Sequence, residues 1–317
     1  MIRPALTHLA VPGTSARIPL LTLDTGRPGP RACVTAGIHG DEPVGVATAH
    51  ALVPLLAEAL VTGSVRIFPA LCSDALLART RVAPGEPVDL NRVFPGDPRG
   101  GLNERVARIV WEEIVAFQPD LVVDVHADST LSIPYTLLDR PLGPQRARTR
   151  ALSNLAKSTG LTVLWDYPED RYRAWHFDQS LTGALVNRVN LLALTVETGP
   201  RQVVSPTSVD TAVGAVLGIL THAGLLDRPA PNHASRVPGG PWRRESGPPA
   251  GHRGILVPRV EAGRVVEARA VLGELRAPSG ESLEILRAPA PCFVLAWADR
   301  GVMDVGEPAC TLGVPDR

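Results

Sequence analysis

Apolar residues in this chain come either in short unbroken runs or at helical spacing. Residues 31–37 (RACVTAG), 120–125 (DLVVDV) and 191–196 (LLALTV) are near-continuous runs, the pattern of strands buried on both faces. Residues 64–71 (SVRIFPAL) read as a further strand, limited by Pro69. The Ala, Leu and Val spacing over 44–60 predicts a helix with Pro43 in its first turn, and 103–117 (NERVARIVWEEIVAF) an amphipathic one. Helices are also expected over 149–160, closed by Gly160, and over 208–223. Continuous apolar strands alternating with helices indicate an α/β fold, a parallel sheet covered on both faces.

Two stretches break the pattern. Residues 72–101 hold many Pro, Gly, Asp and Arg and read as a long loop, which in a compact domain is usually functional. Residues 228–252 are rich in Pro, Gly and Arg and read as a linker. Short β-like segments follow at 254–260, 264–270, 283–287 and 292–298, the texture of a small all-β domain. The expected division is therefore 1–228, an α/β domain, and 229–317, a linker with a C-terminal β domain.

Composition narrows the function. Lys+Arg and Asp+Glu are each 32, so a nucleic-acid or membrane-surface role, which would need a basic excess or patch, is not expected. A hydrophobic share of 44% with 20% charged residues argues against disorder. Cys33, Cys72, Cys292 and Cys310 lie far apart without a CxxC pair and are expected as reduced, buried thiols. The opening MIRPALTHLAVPG has no apolar stretch of signal-peptide length, and no run approaches a membrane span. A cytoplasmic protein is expected, and homo-oligomerisation is left open.

The chemistry gathers where the expected strands end. His39 and Glu42 follow the first, His126 ends another, and Glu197 ends the last; ligands of open α/β sheets bind at the carboxyl ends of strands. His39-x-x-Glu42 on a turn into a helix can aim both side chains at one point, and His126 would complete a His₂Glu set. That set suits Zn²⁺ and leaves one position for water, the mark of a catalytic site. Asp89 could hold the outer N–H of a metal-bound histidine. Asn91 and Arg92 can grip a substrate carboxylate, and Arg79 or Arg81 could stabilise an oxyanion. Glu197 at the sheet mouth suits a general base. Each of these alone also fits an ordinary use, such as a capping carboxylate, a strand-end histidine or a loop salt bridge. It is the ordered set that points to a metal.

The segments GIHGDEPVG, DLNRVFPG, DVHA and VETG, in that order, resemble the signatures of the succinylglutamate desuccinylase/aspartoacylase branch of the M14 zinc carboxypeptidase superfamily. The resemblance spans roughly residues 30–200, and the segment after about 235 is similar to that branch's small β domain. It implies a zinc-carboxypeptidase-like fold: a mixed, mostly parallel sheet with helices on both faces, plus the C-terminal β domain. It implies one Zn²⁺ per chain on His39, Glu42 and His126, and Glu197 as general base and then proton shuttle to the leaving amine. It implies Asn91 and Arg92 on the substrate's carboxylate and Arg81, which follows Thr80, on the scissile carbonyl, with Arg79 as the fallback. The implied activity is hydrolysis of the amide of a small N-acylated amino acid or related amine. A metallocarboxypeptidase for short peptides and a non-catalytic zinc-binding scaffold are the alternatives.

Two departures stand out. The aspartoacylases use a tyrosine from their C-terminal part in the substrate pocket, but here no tyrosine follows Tyr172, leaving Tyr135, Tyr167 and Tyr172. Residues 129–188 carry no signature of the family and are expected to shape specificity. Arg188, nine residues before Glu197, is a candidate for the pocket.

Overall fold

The computed structural model describes residues 2–143, 146–229 and 235–316. The first half of the chain supplies β1 (Ala5–Ala10), β2 (Arg17–Asp24), β3 (Arg31–Ala36), α1 (Pro43–Ala59), β4 (Ser64–Phe68), α2 (Ser73–Ala78), α3 (Leu102–Phe117) and β5 (Leu121–His126). The middle supplies β6 (Tyr135–Leu138), α4 (Arg146–Lys157), β7 (Thr162–Trp165), α5 (Glu169–Ala174), α6 (Leu181–Val189), β8 (Leu192–Glu197) and α7 (Pro206–His222). The remainder is all β: β9 (Trp242–Ser246), β10 (Gly254–Pro258), β11 (Val265–Val266), β12 (Val271–Arg276), β13 (Ser282–Arg287), β14 (Cys292–Trp297), β15 (Val302–Met303) and β16 (Cys310–Pro315).

Alternation along the central strands explains the layers. In β3, β5 and β8, residues such as Val34, Val123, Val125 and Leu194 join one core with α1, α4 and α7. Their neighbours Cys33, Val122 and Ala193 join another with α3 and α6. Successive strand side chains point to opposite faces, so only a continuous apolar run can feed both layers. Strands β4, β3, β5 and β8 pair in parallel, and β6 joins β8 antiparallel, giving the mixed, mostly parallel sheet expected.

The expected long loop at 72–101 contains α2 and a one-turn 3₁₀ helix at Leu90–Arg92. The expected linker also carries structure: residues 242–246 form β9, while 230–234 lie outside the described residues. Through β9 the sheet continues past β7 to β16, β14 and β11, twelve strands in all. The β-like segment at 264–270 shrinks to the two residues of β11, and β12 and β16, which composition hid, are six residues each. A second, four-stranded sheet, β13-β12-β10-β15, packs its leucines on β14 and β16.

One contact sets how β9 sits. Phe293 of β14 lies opposite Gly313 of β16, where an added Cβ would fall 2.1 Å from the phenyl ring. The bare glycine lets that ring stand edge-on to Trp242 of β9, with centroids 5.4 Å apart. Gly313→Ala is therefore expected to destabilise the protein by about 1–3 kcal/mol through overpacking. Gly301→Ala, with open space around it, should be near neutral. Urea midpoints of the two variants against wild type check this.

Candidate metal centre and substrate pocket

Three strand ends meet over the parallel core. Ladder pairing puts Ala36 beside Val125 and His126 beside Glu197, so the loop after β3 and the tips of β5 and β8 share one edge. The loop His39–Glu42 is drawn tight because Gly40 lies against α2; a Cβ there would fall 1.9 Å from the carbonyl carbon of Ala75. Glu42 then precedes α1, whose Pro43 gives up no needed N–H in the first turn.

Glu42 is the hub. Its Oε1 lies 2.7 Å from His39 Nδ1 and its Oε2 2.8 Å from His126 Nδ1. The Ala127 backbone N–H also donates to Oε2, at 3.0 Å. Among the described residues, His39, Glu42 and His126 form a cluster of donor atoms all within 4.8 Å of one another, and all three are buried. Each histidine turns its other nitrogen to an aspartate: His39 Nε2 is 3.1 Å from Asp89 Oδ1, and His126 Nε2 is 2.8 Å from Asp124 Oδ2. The Thr35 hydroxyl donates to the remaining oxygen of Asp124 at 2.6 Å. Outer carboxylates of this kind fix which nitrogen faces inward and raise ring basicity. The arrangement fits a divalent cation, since two imidazole nitrogens and a carboxylate face one point with negative charge behind them.

The electrostatics follow the same geometry. Burial works to raise the Glu42 carboxyl, but the two facing histidines outweigh it and hold it well below the usual carboxylate range. Burial also works against a charged His126, but Asp124 and Glu42 push its pKa well above the ordinary value. Glu197 behaves in the opposite way. Burial raises it to about 8, with Asp128 and Glu42 adding to the effect against His126, and its Oε2 has no hydrogen-bond partner.

The residues expected around this centre fall into place unevenly. Asp89 caps the 3₁₀ turn by accepting from Asn91 N at 2.8 Å and holds Arg81 through Nε at 3.1 Å and Nη2 at 2.9 Å. Arg81 Nη1 reaches within 3.6 Å of Glu42 Oε1. Arg79 instead ends α2 in the left-handed region (φ 58°), exposed and outside the pocket wall. Asn91 accepts from Leu181 N at 2.8 Å, which leaves its amide N–H groups to donate. Arg92 lies over the Phe177 ring, 4.4 Å from its centroid. Arg188 is exposed near the end of α6 and is not part of the pocket.

His39, Glu42, Arg81, Asn91, Arg92, His126 and Glu197 all line one cavity of about 250 Å³. Its other walls come mostly from 129–188, the segment expected to shape specificity: Tyr135 and Tyr167, two of the tyrosines noted in the sequence, and Asp139, Asp166 and Phe177, which with Asp128 the sequence did not single out. Tyr135 donates to Asp128 Oδ2 at 2.7 Å, and Tyr172 donates to Asp139 Oδ1 at 2.7 Å. Arg244 enters from β9, its Nε 3.1 Å from Asp166 Oδ1 and its guanidinium over Tyr167 and Phe177 at 4.8 and 5.2 Å. Asp124 was within reach of sequence reasoning, because residues two apart on a strand share a face and DVHA places it so beside His126. Arg244 carried no signal, lying in a stretch whose composition reads as linker.

Two expectations follow. Asp124→Asn should weaken divalent-metal affinity about 10–100-fold with the fold intact, measured by competition with a chelator. Burial, helped by Asp166 and opposed by hydrogen bonds from Thr182 and Tyr172, pushes Asp139 up to about 7. The folded state then keeps a proton that the unfolded chain loses near pH 4, so this group's contribution falls as pH rises from about 4 to about 7 and is level above. Asp139→Asn should remove that slope from the difference in urea midpoints across the range.

A family model, the succinylglutamate desuccinylase/aspartoacylase catalytic domain, matches residues 28–223. The N-alpha-acetyl-L-2,4-diaminobutyric acid deacetylase of Halomonas elongata is 29% identical over 214 residues, 66% of this chain and 59% of that protein. The chain thus matches somewhat over half of that relative's length. The structure of a succinylglutamate desuccinylase from Silicibacter sp. superposes with a TM-score of 0.83 at 19% identity, covering 99% of this chain and 95% of the other. A metallo-carboxypeptidase from Burkholderia cenocepacia superposes at 0.57 and 18% identity over 70% and 65% of the two chains. At these identities the two structures speak for the fold alone.

Proposed function

The chain belongs to the succinylglutamate desuccinylase/aspartoacylase family, and from that premise we propose that it is a zinc-dependent amide hydrolase that deacylates a small N-acylated amino acid. The observation that carries this reading is Glu197. Burial raises its pKa to about 8, its Oε2 has no hydrogen-bond partner, and it lines the same pocket as a two-histidine, one-carboxylate cluster and an Asn-Arg pair. His39, Glu42 and His126 would hold the ion. Two nitrogens and one oxygen are the donor set of catalytic zinc, which when bound polarises a carbonyl and lowers the pKa of water toward about 7.

In this reading Asn91 and Arg92 receive the free carboxylate of the substrate. The guanidinium can pair with both carboxylate oxygens, and stacking on Phe177 fixes its plane. That anchor presents the amide carbonyl to Arg81, whose Nη1 already points toward the metal cluster and would donate to the developing oxyanion. Glu197 takes the proton of the attacking water and returns it to the departing amine nitrogen. Its raised pKa suits both halves of that exchange.

The same reading makes residues 1–228 the catalytic unit and 229–317 a domain that closes its pocket, with Arg244 and Thr311 in the wall. A pocket of about 250 Å³ favours small N-acyl amino acids over peptides. The Halomonas relative is named for removing an acetyl group from 2,4-diaminobutyric acid, which makes N-acetylated diamino acids the first substrates to try. Four buried, unpaired thiols support a cytoplasmic setting. No described helix is long and apolar enough to cross a membrane.

Metal-loaded protein should hydrolyse N-acyl amino acids faster than dipeptides or tripeptides; a preference for peptides would overturn the deacylase reading. Glu197→Gln should lower kcat by about 10²–10⁴ while binding metal as wild type does. Arg92→Ala should raise KM strongly for substrates with a free carboxylate and far less for their amide-blocked analogues. Equal effects on the two would take Arg92 out of the carboxylate site.

A further inference from the structure

The cavity wall that holds Glu42 also holds Arg81 and Arg201, and each of these arginines has an aspartate that keeps it in place. Arg81 is bound by Asp89 through Nε at 3.1 Å and Nη2 at 2.9 Å, and its Nη1 stops 3.6 Å short of Glu42 Oε1. Arg201, on the loop that follows β8, is held less firmly. Its Nη1 is 3.6 Å from Asp41 Oδ2 and its Nε 3.6 Å from Asp299 Oδ2, both too long for a hydrogen bond, and the buried Nε has no hydrogen-bond partner. Two long ion pairs set where this guanidinium stands.

The two aspartates differ in what they are tied to. Asp41 precedes Glu42 in the loop His39–Glu42, and its carbonyl oxygen accepts from Gln202 N at 2.7 Å, so the backbone beside Arg201 is already drawn to that loop. Asp299 belongs to the C-terminal β domain, just after β14. Its Oδ1 accepts from Thr130 N at 2.6 Å. The same segment is gripped again where Trp297 N donates to Leu131 O at 3.0 Å and Ile133 N to Leu295 O at 3.1 Å. Asp299 is therefore a carboxylate anchored independently of the His39–Glu42 loop.

Burial works to lower the Arg201 pKa, but the carboxylates outweigh it, Glu42 first, then Asp41 and Asp299. The carboxylate that acts most strongly on this cation is thus one that a metal would need. An arginine side chain turns about several bonds, and Arg201 and Glu42 line one cavity, so a guanidinium released by Asp299 has that space before it.

We propose that Asp299 is a positioning residue: it tethers Arg201 away from Glu42, and through it the C-terminal β domain keeps that carboxylate free for the cation. Arg201 and the metal are rivals for one carboxylate, and Asp299 decides between them. The proposal rests on the reading of His39, Glu42 and His126 as the metal site.

Competition for Zn²⁺ between a chromophoric chelator and metal-free protein tests it. Asp299→Asn keeps the side chain's shape and an acceptor for Thr130 N but removes the charge, and should weaken Zn²⁺ binding about three- to thirtyfold. Arg201→Gln should bind Zn²⁺ at least as tightly as wild type. The double variant Asp299→Asn/Arg201→Gln should match Arg201→Gln within about twofold. A merely structural clasp cannot give this rescue, because a loop loosened by one lost contact is not tightened by losing another.

Wild-type affinity in Asp299→Asn, weaker affinity in Arg201→Gln, or a double variant as weak as Asp299→Asn would each overturn the tether. If Asp299→Asn does not fold, Arg201→Gln alone still decides. Glu42→Gln separates this proposal from the reading beneath it. Should wild type bind Zn²⁺ no better than Glu42→Gln, the metal site itself fails. Should wild type bind far more tightly than Glu42→Gln while Asp299→Asn equals wild type, the metal site stands and only the tether falls.

Discussion

The structure is organised around a buried carboxylate that faces two imidazoles at once. Glu42 takes one imidazole, His39, from its own turn and the other, His126, from the tip of β5, and only the fold brings the second to it. A charge buried without partners would cost several kcal/mol, so the loop after β3 is stable only where β5 delivers its histidine. The aspartates behind the histidines extend the demand outward. Asp89 ties the centre to the 3₁₀ turn that carries Asn91 and Arg92, and Asp124 ties it to the hydroxyl of Thr35 inside the sheet. The His-Glu-His cluster, the 3₁₀ turn and the parallel strands are thus one electrostatic unit.

What could be read from the sequence follows the strength of local signals. Near-continuous apolar runs such as LVVDV and LLALTV leave little choice but doubly covered parallel strands, and polar residues at their ends stand out against them. For that reason His126 and Glu197 stand out as candidates in the sequence, as does the His39-Glu42 pair. Arg81 was separated from Arg79 only by the structure, since two arginines on one loop look alike until one of them caps a helix. The segment 129–188 stood out as a whole, but most single side chains of the pocket wall were out of reach. Tyr135, Asp139 and Asp166 sit at ends of short strands whose partners are far along the chain, and Arg244 sits in a Pro- and Gly-rich stretch whose β conformation comes entirely from pairing with β7 and β16. A strand defined by its neighbours has no signature of its own.

The pocket also shows a division of labour. The groups suited to chemistry hang from β3, β5 and β8, which are buried on both faces and locked by two cores. The other groups of the pocket wall come from 129–188 and from β9 and β16, outside those two cores.

The join between β7 and β9 carries that division to a physical limit. Only two register pairs close it, Leu164 with Trp242 and Trp165 with Arg243, and the ion pair of Arg244 with Asp166 crosses just beside them. The charge at the wall of the pocket is thus also a rivet in the sheet. Any guest that draws Arg244 away from Asp166 loosens the seam that holds the arginine in reach, so grip on a ligand and stiffness of the molecule trade against each other at a single bond.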